Sequence, residues 1–304
     1  MGIRNYEQRL KDIQEMNLTS DLLSSVAFED PLAMQDVLRI ITGIRDLKVL
    51  RVEPQRSFRN MYGHSSVSNV WAEDEESNQY NLEIQVAENE DHLRRSRFIQ
   101  SRIDSRCLGI GRGYEELPEL YLIFITEKDF LHIGEGTVEV ARVIEQGGKR
   151  VDNGVHEIYA NLEQPADDER KRRLLSFIRD TNNADIPTEG FENLAARVRY
   201  LKSEEGGIRF MCNVIERERA EGYAEGKEEG RIVGKEEGRE EGSWLQLIRL
   251  TMKKREKGME AQEIADLLEE DETTIERILV AVDLSKSEDV EKVYECMKVR
   301  TEVE

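Results

Sequence analysis

Two short segments of the chain place polar side chains at alternating positions. The run of residues 80–86, Tyr-Asn-Leu-Glu-Ile-Gln-Val, has the period-2 pattern of a β-strand with one buried face. Glu83 and Gln85 therefore project to the same side, and Asn69, fourteen residues upstream, lies in a second alternating run. This set combines one carboxylate with two amides, a combination found in binding and catalytic sites. Taken alone, Glu83 is equally well explained as a solvated strand residue.

The elements around these residues predict a mixed α/β fold. The polar residues 73–79 separate the two alternating runs, so residues 66–87 are expected to form a β-hairpin. Helices are predicted over residues 7–45, with one start at Asp30-Pro31, and over residues 92–109. Strands are predicted at 48–53, at 121–126, where the apolar run indicates a buried strand, and at 156–161, at the edge of the sheet. Two further helices are predicted at 168–179 and 191–215. This order describes an α/β sandwich around a mixed sheet.

Seven segments of the chain share their order and spacing with one known family. They are Asp30-Pro31, Thr42-Gly-Ile, Val52-Glu-Pro-Gln55 and residues 80–85, 95–104, 113–117 and 121–126. Together they resemble the bacterial PD-(D/E)XK nuclease-family transposases, also called recombination-promoting nucleases. The glutamate- and glycine-rich tail is also typical of that family. The resemblance extends from about residue 20 to residue 242, and it implies a restriction-endonuclease-like fold.

The resemblance also implies roles for the alternating residues. In such nucleases, the hairpin Asp and Glu hold one or two Mg²⁺ ions that polarise the scissile phosphate and supply hydroxide. Carried over, Glu83 is the metal carboxylate, and Gln85 positions the attacking water. Asn69 stands where the family has its Asp. An amide oxygen can touch Mg²⁺ but brings no charge, so this departure predicts weak metal binding.

Other candidates are less specific. Gln100, on the helix after the hairpin, is either a DNA-facing partner of the site or a structural residue. Asp36, in the N-terminal helix, is a carboxylate that could compensate for Asn69. Arg95, Arg102 and Arg106 share one helix face, which we interpret as ordinary solvated surface rather than a DNA-binding patch.

The C-terminal third of the chain changes character. Glycine recurs every fourth residue from Gly222 to Gly242, which predicts a charged spacer with residual helicity or a helix that packs its glycine face. Apolar residues return at helical spacing over 244–283 and predict three short helices, which we interpret as a docking or homo-oligomerisation unit. The predicted domains are therefore a nuclease-like domain (1–215), a spacer (216–243) and a helical unit (244–304).

Composition limits the functions that fit. The net charge is −20, which argues against tight non-specific DNA binding. No apolar run reaches membrane length, and three scattered cysteines favour a reducing cytoplasm. Two hypotheses follow. One is a weakened Mg²⁺-dependent DNA endonuclease in recombination or mobile-element biology, and the other is an inactive nuclease-fold module that binds DNA or another partner.

Overall fold

The computed structural model describes residues 3–55, 69–85 and 92–301. The chain divides into two compact units, Met1–Glu216 and Arg217–Glu304. The three-part division expected from the sequence stays a prediction.

The first unit begins with three helices, and the third shows how local sequence sets its ends. The elements are α1 (Ile3–Glu15), α2 (Asp21–Ala27), α3 (Pro31–Thr42), α4 (His92–Cys107), α5 (Glu169–Arg179), α6 (Glu192–Ser203) and the start of α7 (Glu205–Arg255). The Asp30 carboxylate caps α3 by accepting hydrogen bonds from the backbone N–H groups of Leu32 and Ala33, both at 3.0 Å. Pro31 occupies the first turn, and Gly43 ends the helix in the left-handed region at φ 77°. The predicted start at Asp30-Pro31 is confirmed.

A six-stranded mixed sheet forms the centre of this unit, in the order β1-β2-β3-β4-β8-β5. Its strands are β1 (Val49–Gln55), β2 (Asn69–Asp74), β3 (Gln79–Gln85), β4 (Leu120–Thr126), β5 (Thr137–Val140) and β8 (Val155–Asn161). Strand β3 pairs antiparallel with β2 and parallel with β4, and β8 continues the parallel pairing. The α/β sandwich with a mixed central sheet is confirmed.

The two faces of the sheet are covered differently. One face packs against the large apolar core supplied by α1, α2, α3, α5, α6 and the first turns of α7. The other face carries a smaller cluster, in which Ile99 and Ile103 of α4 contact Trp71, Leu122 and Phe124. Because α4 covers this second face, all seven residues of β3 are buried, although the alternating pattern predicts one solvated face.

One strand prediction was wrong, and three short strands were not predicted. The strand at 156–161 was expected at the sheet edge, but β8 lies between β4 and β5. The edge is formed by β5, whose short sequence Thr-Val-Glu-Val was not recognised. A separate two-stranded hairpin, β6 (Arg142–Ile144) with β7 (Lys149–Val151), was also missed, because its segments of three residues are too short for a periodic signal.

The glycine repeat lies within α7, a continuous helix of 51 residues. A side chain added at any of the glycines from Gly222 to Gly242 would meet nothing within 4 Å, so the alternative in which the glycine face packs closely is not what the described structure has. Within the repeat, Arg231 Nη2 lies 2.7 Å from Glu228 Oε1, an i,i+3 ion pair along the helix. No helix in the described part of the chain is both long and apolar enough to cross a membrane.

The second unit ends in three helices, α8 (Ala261–Leu268), α9 (Glu272–Ser285) and α10 (Val290–Thr301). Ile248, Ile278 and Val293 form one small apolar cluster, and Ile264 packs with Ile275 in another. The three helical stripes expected over 244–283 therefore correspond to the end of α7, α8 and α9. The sequence reading did not include α10.

Candidate active site

The hairpin of β2 and β3 sets the position of the candidate residues. Its backbone register pairs Asn69 with Glu83 and Trp71 with Asn81. The turn is fixed by Asp74, whose carboxylate accepts hydrogen bonds from the backbone N–H groups of Glu76 and Asn78, both at 2.9 Å. Asn69 thus lies directly opposite Glu83, as the sequence predicts; the Asn69 side chain and residues 66–68, 86 and 87 are outside the described part.

Glu83 is fully buried and already has partners. Its Oε1 lies 2.5 Å from Nε of Arg95 on α4 and accepts a hydrogen bond of 2.6 Å from Nε2 of Gln85. Glu83 has 0% of its surface exposed, and the Arg95 side chain is only 17% exposed. The sequence places Glu83 and Gln85 on one side of the strand, and the structure confirms that they are in direct contact. It also makes Glu83 one half of a buried ion pair.

Arg95 is the residue that sequence reasoning misjudged. It belongs to the face interpreted as solvated surface, yet it reaches through the helix–sheet interface to Glu83. Arg106, from the same face, lies 2.8 Å from Glu53 Oε2, and its guanidinium stacks 4.7 Å from the Trp71 ring. The hydrogen bond from Arg106 lowers the pKa of the Glu53 carboxyl. Helical spacing correctly groups these arginines, but it does not reveal that Arg95 lies against the sheet while Arg106 stays exposed.

Aromatic residues close the site on the side of α4. The Tyr159 ring stacks on Phe124 at 5.3 Å and meets Phe130 edge-on at 5.0 Å. Phe124 is the backbone partner of Glu83 across the β3–β4 pair. Burial raises the pKa of the Tyr159 hydroxyl, and its hydrogen bond to Glu157 acts in the same direction. Aromatic rings of the neighbouring strands therefore lie on the same side of the sheet as Glu83, whose described polar contacts come from Arg95 and Gln85.

The two remaining candidates, Gln100 and Asp36, contact other residues in the described structure. Nε2 of Gln100 donates a 3.3 Å hydrogen bond to Asp104 on the same helix. Asp36 accepts bonds of 2.8 and 3.1 Å from the backbone N–H groups of Asn193 and Leu194 at the start of α6. Asp36 belongs to α3, whose core packs on the opposite face of the sheet from Glu83. It therefore does not compensate for Asn69.

The donor set does not fit a divalent metal as arranged. Mg²⁺ prefers anionic oxygens in octahedral geometry, whereas Glu83 Oε1 already meets a guanidinium and an amide donor. Among the residues that the structure describes, no group of three or more His, Cys, Asp or Glu side chains could hold a metal ion. Asn69 would add a neutral amide at most.

A family comparison accounts for this architecture. Residues 36–181, from α3 through the whole sheet to the end of α5, match the family model of the PD-(D/E)XK nuclease family transposases. This segment is a domain of that family. The match is narrower than the range of 20–242 expected from the sequence. The PD-(D/E)XK domain supports a nuclease-like function, and its family generally uses divalent metal ions. The comparisons with curated proteins and with solved structures gave no significant match.

Proposed function

We propose that the PD-(D/E)XK domain is a DNA-directed module whose hydrolytic centre is closed by Arg95. The observation that carries this proposal is the buried ion pair between Arg95 and Glu83, with Gln85 on the same carboxylate oxygen. A nuclease of this type would use that oxygen for a metal ion. Here a side-chain cation occupies the position next to it.

Charge explains why the arrangement opposes metal binding. A divalent ion approaching Glu83 would be repelled by the Arg95 guanidinium, and the strand position opposite supplies an amide instead of a second carboxylate. Two unit charges 4 Å apart interact by about 4 kcal/mol at an effective dielectric constant of 20. Each 1.36 kcal/mol lost from transition-state stabilisation lowers a rate roughly tenfold. Either change alone is large enough to make cleavage very slow.

The second candidate function is a weakened Mg²⁺-dependent DNA endonuclease. The observation that favours it is the retained contact between Glu83 and Gln85 in a domain of this family. In that case Glu83 would hold the metal and Gln85 would orient the attacking water. Arg95 would first have to leave Glu83.

Metal binding and cleavage together separate the two candidates. Wild type, Asn69→Asp and the double variant Asn69→Asp/Arg95→Gln are titrated with Mn²⁺ and Mg²⁺ by calorimetry and are incubated with supercoiled plasmid. We expect no saturable metal binding by wild type. In the double variant we expect metal binding and a nicking rate about a hundredfold above wild type, because a second carboxylate is gained and the repelling guanidinium is gone; a hundredfold corresponds to about 2.7 kcal/mol of transition-state stabilisation.

Glu83→Gln, added to the double variant, is the matched control and should abolish both signals. Rapid cleavage by the unmodified protein would overturn the closed-site proposal and favour the endonuclease. A double variant that stays folded by circular dichroism but neither binds metal nor cuts would show that the site has diverged beyond these two positions.

The wider setting is part of the same proposal. DNA is the expected partner, and recombination is the expected process. The described cysteines, Cys107, Cys212 and Cys296, are all free thiols, which is compatible with a cytoplasmic location. The second unit, with exposed Leu267, Val280 and Leu284 on α8 and α9, is a candidate for homo-oligomer formation.

A further inference from the structure

Helix α4 is strongly basic in an acidic protein. It carries five arginines and one aspartate in sixteen residues, whereas the chain as a whole has a net charge of −20. Such a concentration of one sign on a single helix offers a polyanion a local positive surface.

Four of the five arginines of α4 fall into two groups by direction; the guanidinium of the fifth, Arg102, lies 5.7 Å from the centre of the Phe98 ring. Ser96, Ile99 and Ile103 are buried against the sheet, and Arg95 and Arg106 bend from the flank of the helix to Glu83 and Glu53. These two arginines are neutralised by their carboxylate partners.

The opposite side of the helix, the outer face, consists of residues 94, 97, 98, 101 and 105, which follow one another at helical spacing. Arg94 and Arg97 are exposed, and among the described residues neither has a carboxylate within ion-pair distance. Ser101 and Ser105 donate hydrogen bonds back to the carbonyls of their own helix, at 2.7 and 2.6 Å, so the rest of the face is small and uncharged. Phe98, which follows Arg97 directly on the helix, has 47% of its surface exposed.

We propose that the outer face of α4 is the surface on which duplex DNA docks, with Arg94 and Arg97 on backbone phosphates and Phe98 against the sugar edge. The inference rests on the proposed DNA-directed function and names the surface that performs it. Charge complementarity selects a polyanion as the occupant, since two exposed guanidiniums with no carboxylate at ion-pair distance among the described residues are suited to successive phosphates.

The same geometry explains how binding can occur without cleavage. The residues that pack α4 on the sheet lie on the side of the helix away from Arg94 and Arg97. A phosphate backbone on the outer face would therefore be separated from Glu83 by the body of the helix. DNA would be held over the closed site without entering it.

The β6–β7 hairpin is a competing basic surface, with Arg142, Lys149 and Arg150 all exposed. It leads into β8 at Val155, which pairs with Leu120 at the start of β4. Gln85 pairs with Thr126 at the end of β4. The hairpin is thus attached at the opposite end of the parallel strands from Glu83 and Gln85, which makes α4 the better candidate.

Matched charge deletions test the assignment in the full-length protein. Arg94→Ala/Arg97→Ala is compared with Lys149→Ala/Arg150→Ala, so that each variant loses two exposed positive charges. Binding of a fluorescently labelled duplex is measured by anisotropy over a range of salt concentrations. We expect the α4 variant to bind at least about tenfold more weakly, and its slope of log K against log salt to fall by about 2, since each lost phosphate contact removes about 0.9.

The outcomes of this experiment separate a wrong docking surface from a wrong proposed function. Loss of affinity in the α4 pair, with the hairpin pair unchanged, supports the proposal. If wild type binds duplex DNA and the α4 pair binds equally well, or only the hairpin pair weakens, the docking surface is wrong while the DNA-directed function stands. If wild type binds no duplex DNA at low salt, the proposed function fails and this inference fails with it. Unchanged thermal unfolding of both variants is the check on folding.

Discussion

Strand β3 buries two faces of opposite chemistry. Tyr80, Leu82 and Ile84 join the large apolar core, while Gln79, Asn81, Glu83 and Gln85 on the other face are between 0% and 7% exposed. The apolar face alone explains why the strand lies in the centre of the sheet, since burial of such side chains stabilises a fold by about 1.5–3 kcal/mol each. The polar face works against folding unless its groups find partners. Its chemistry therefore points to function or to a functional ancestry.

Buried polar groups on the apolar side of the sheet are satisfied more completely. The Asp36 carboxylate accepts from Asn193 N, Asn193 Nδ2 and Leu194 N. The Lys202 ammonium donates to Met16 O, Thr181 Oγ1 and Asn182 Oδ1, all within 2.8 Å. On the α4 side, by contrast, neither polar atom of the Asn81 amide has a hydrogen-bond partner among the described residues. The candidate site is the less satisfied of the two regions.

The largest loss of folding stability is expected when the Arg95 side chain is removed. Arg95→Ala leaves the fully buried Glu83 carboxylate without its cation, and breaking a buried pair in this way costs about 3–5 kcal/mol. The free energy of unfolding in urea measures the loss. Adding Glu83→Gln to this variant should recover much of it, because the uncompensated charge is then gone.

Arg97→Ala is the matched control on the outer side of the same helix, where Arg97 is exposed, and it should change stability by less than about 0.5 kcal/mol. Equal small effects for Arg95→Ala and Arg97→Ala would mean that Glu83 is not closed off in solution. The polar face of β3 would then be an open site, and the comparison between the two faces would fail.

The sequence predicted the strands that carry the candidate site, but not the ion pair by which Arg95 covers Glu83. Local signals were sufficient for the hairpin, for the start of α3 at Asp30 and for the contact of Glu83 with Gln85, because period-2 alternation and capping depend on neighbouring residues. The contact of Arg95 with Glu83 depends on how α4 rotates against the sheet, which no local pattern specifies. The same limit hid β5, whose four residues are held at the edge by pairing with β8.

The next prediction concerns Lys202, on the side of the sheet that packs against the large apolar core, and the dependence of folding stability on pH. Burial lowers the pKa of the Lys202 ammonium from 10.5 to about 8. Between these values the unfolded chain holds more protons than the folded one, so stability attributable to Lys202 rises with pH across the window and is lost as pH falls through about 8. The slope is at most about 1.4 kcal/mol per pH unit.

Lys202→Met supplies the reference without a titrating group at this position. The difference in unfolding free energy between wild type and Lys202→Met, measured from pH 7 to pH 10.5, should move in favour of wild type as pH rises. A flat difference would show that the three acceptors hold Lys202 charged throughout, and that the apolar side tolerates a buried cation better than its burial suggests.

The smallest change in the free energy of unfolding is expected at Asn81, and here we expect an increase. This residue is 0% exposed, lies opposite Trp71 in the hairpin, and has no described hydrogen-bond partner for its amide. Replacing an unsatisfied buried polar group by an apolar one of similar size removes a desolvation penalty of about 1–3 kcal/mol, and valine also suits a strand. Asn81→Val should therefore raise the free energy of unfolding, measured in urea, by about 1 kcal/mol. The control is Leu82→Asn, which places an amide at the neighbouring position on the apolar face and should lower the free energy of unfolding. If Asn81→Val destabilises the domain instead, its amide has a partner in solution, and the polar face of β3 is a connected network rather than a partly satisfied remnant.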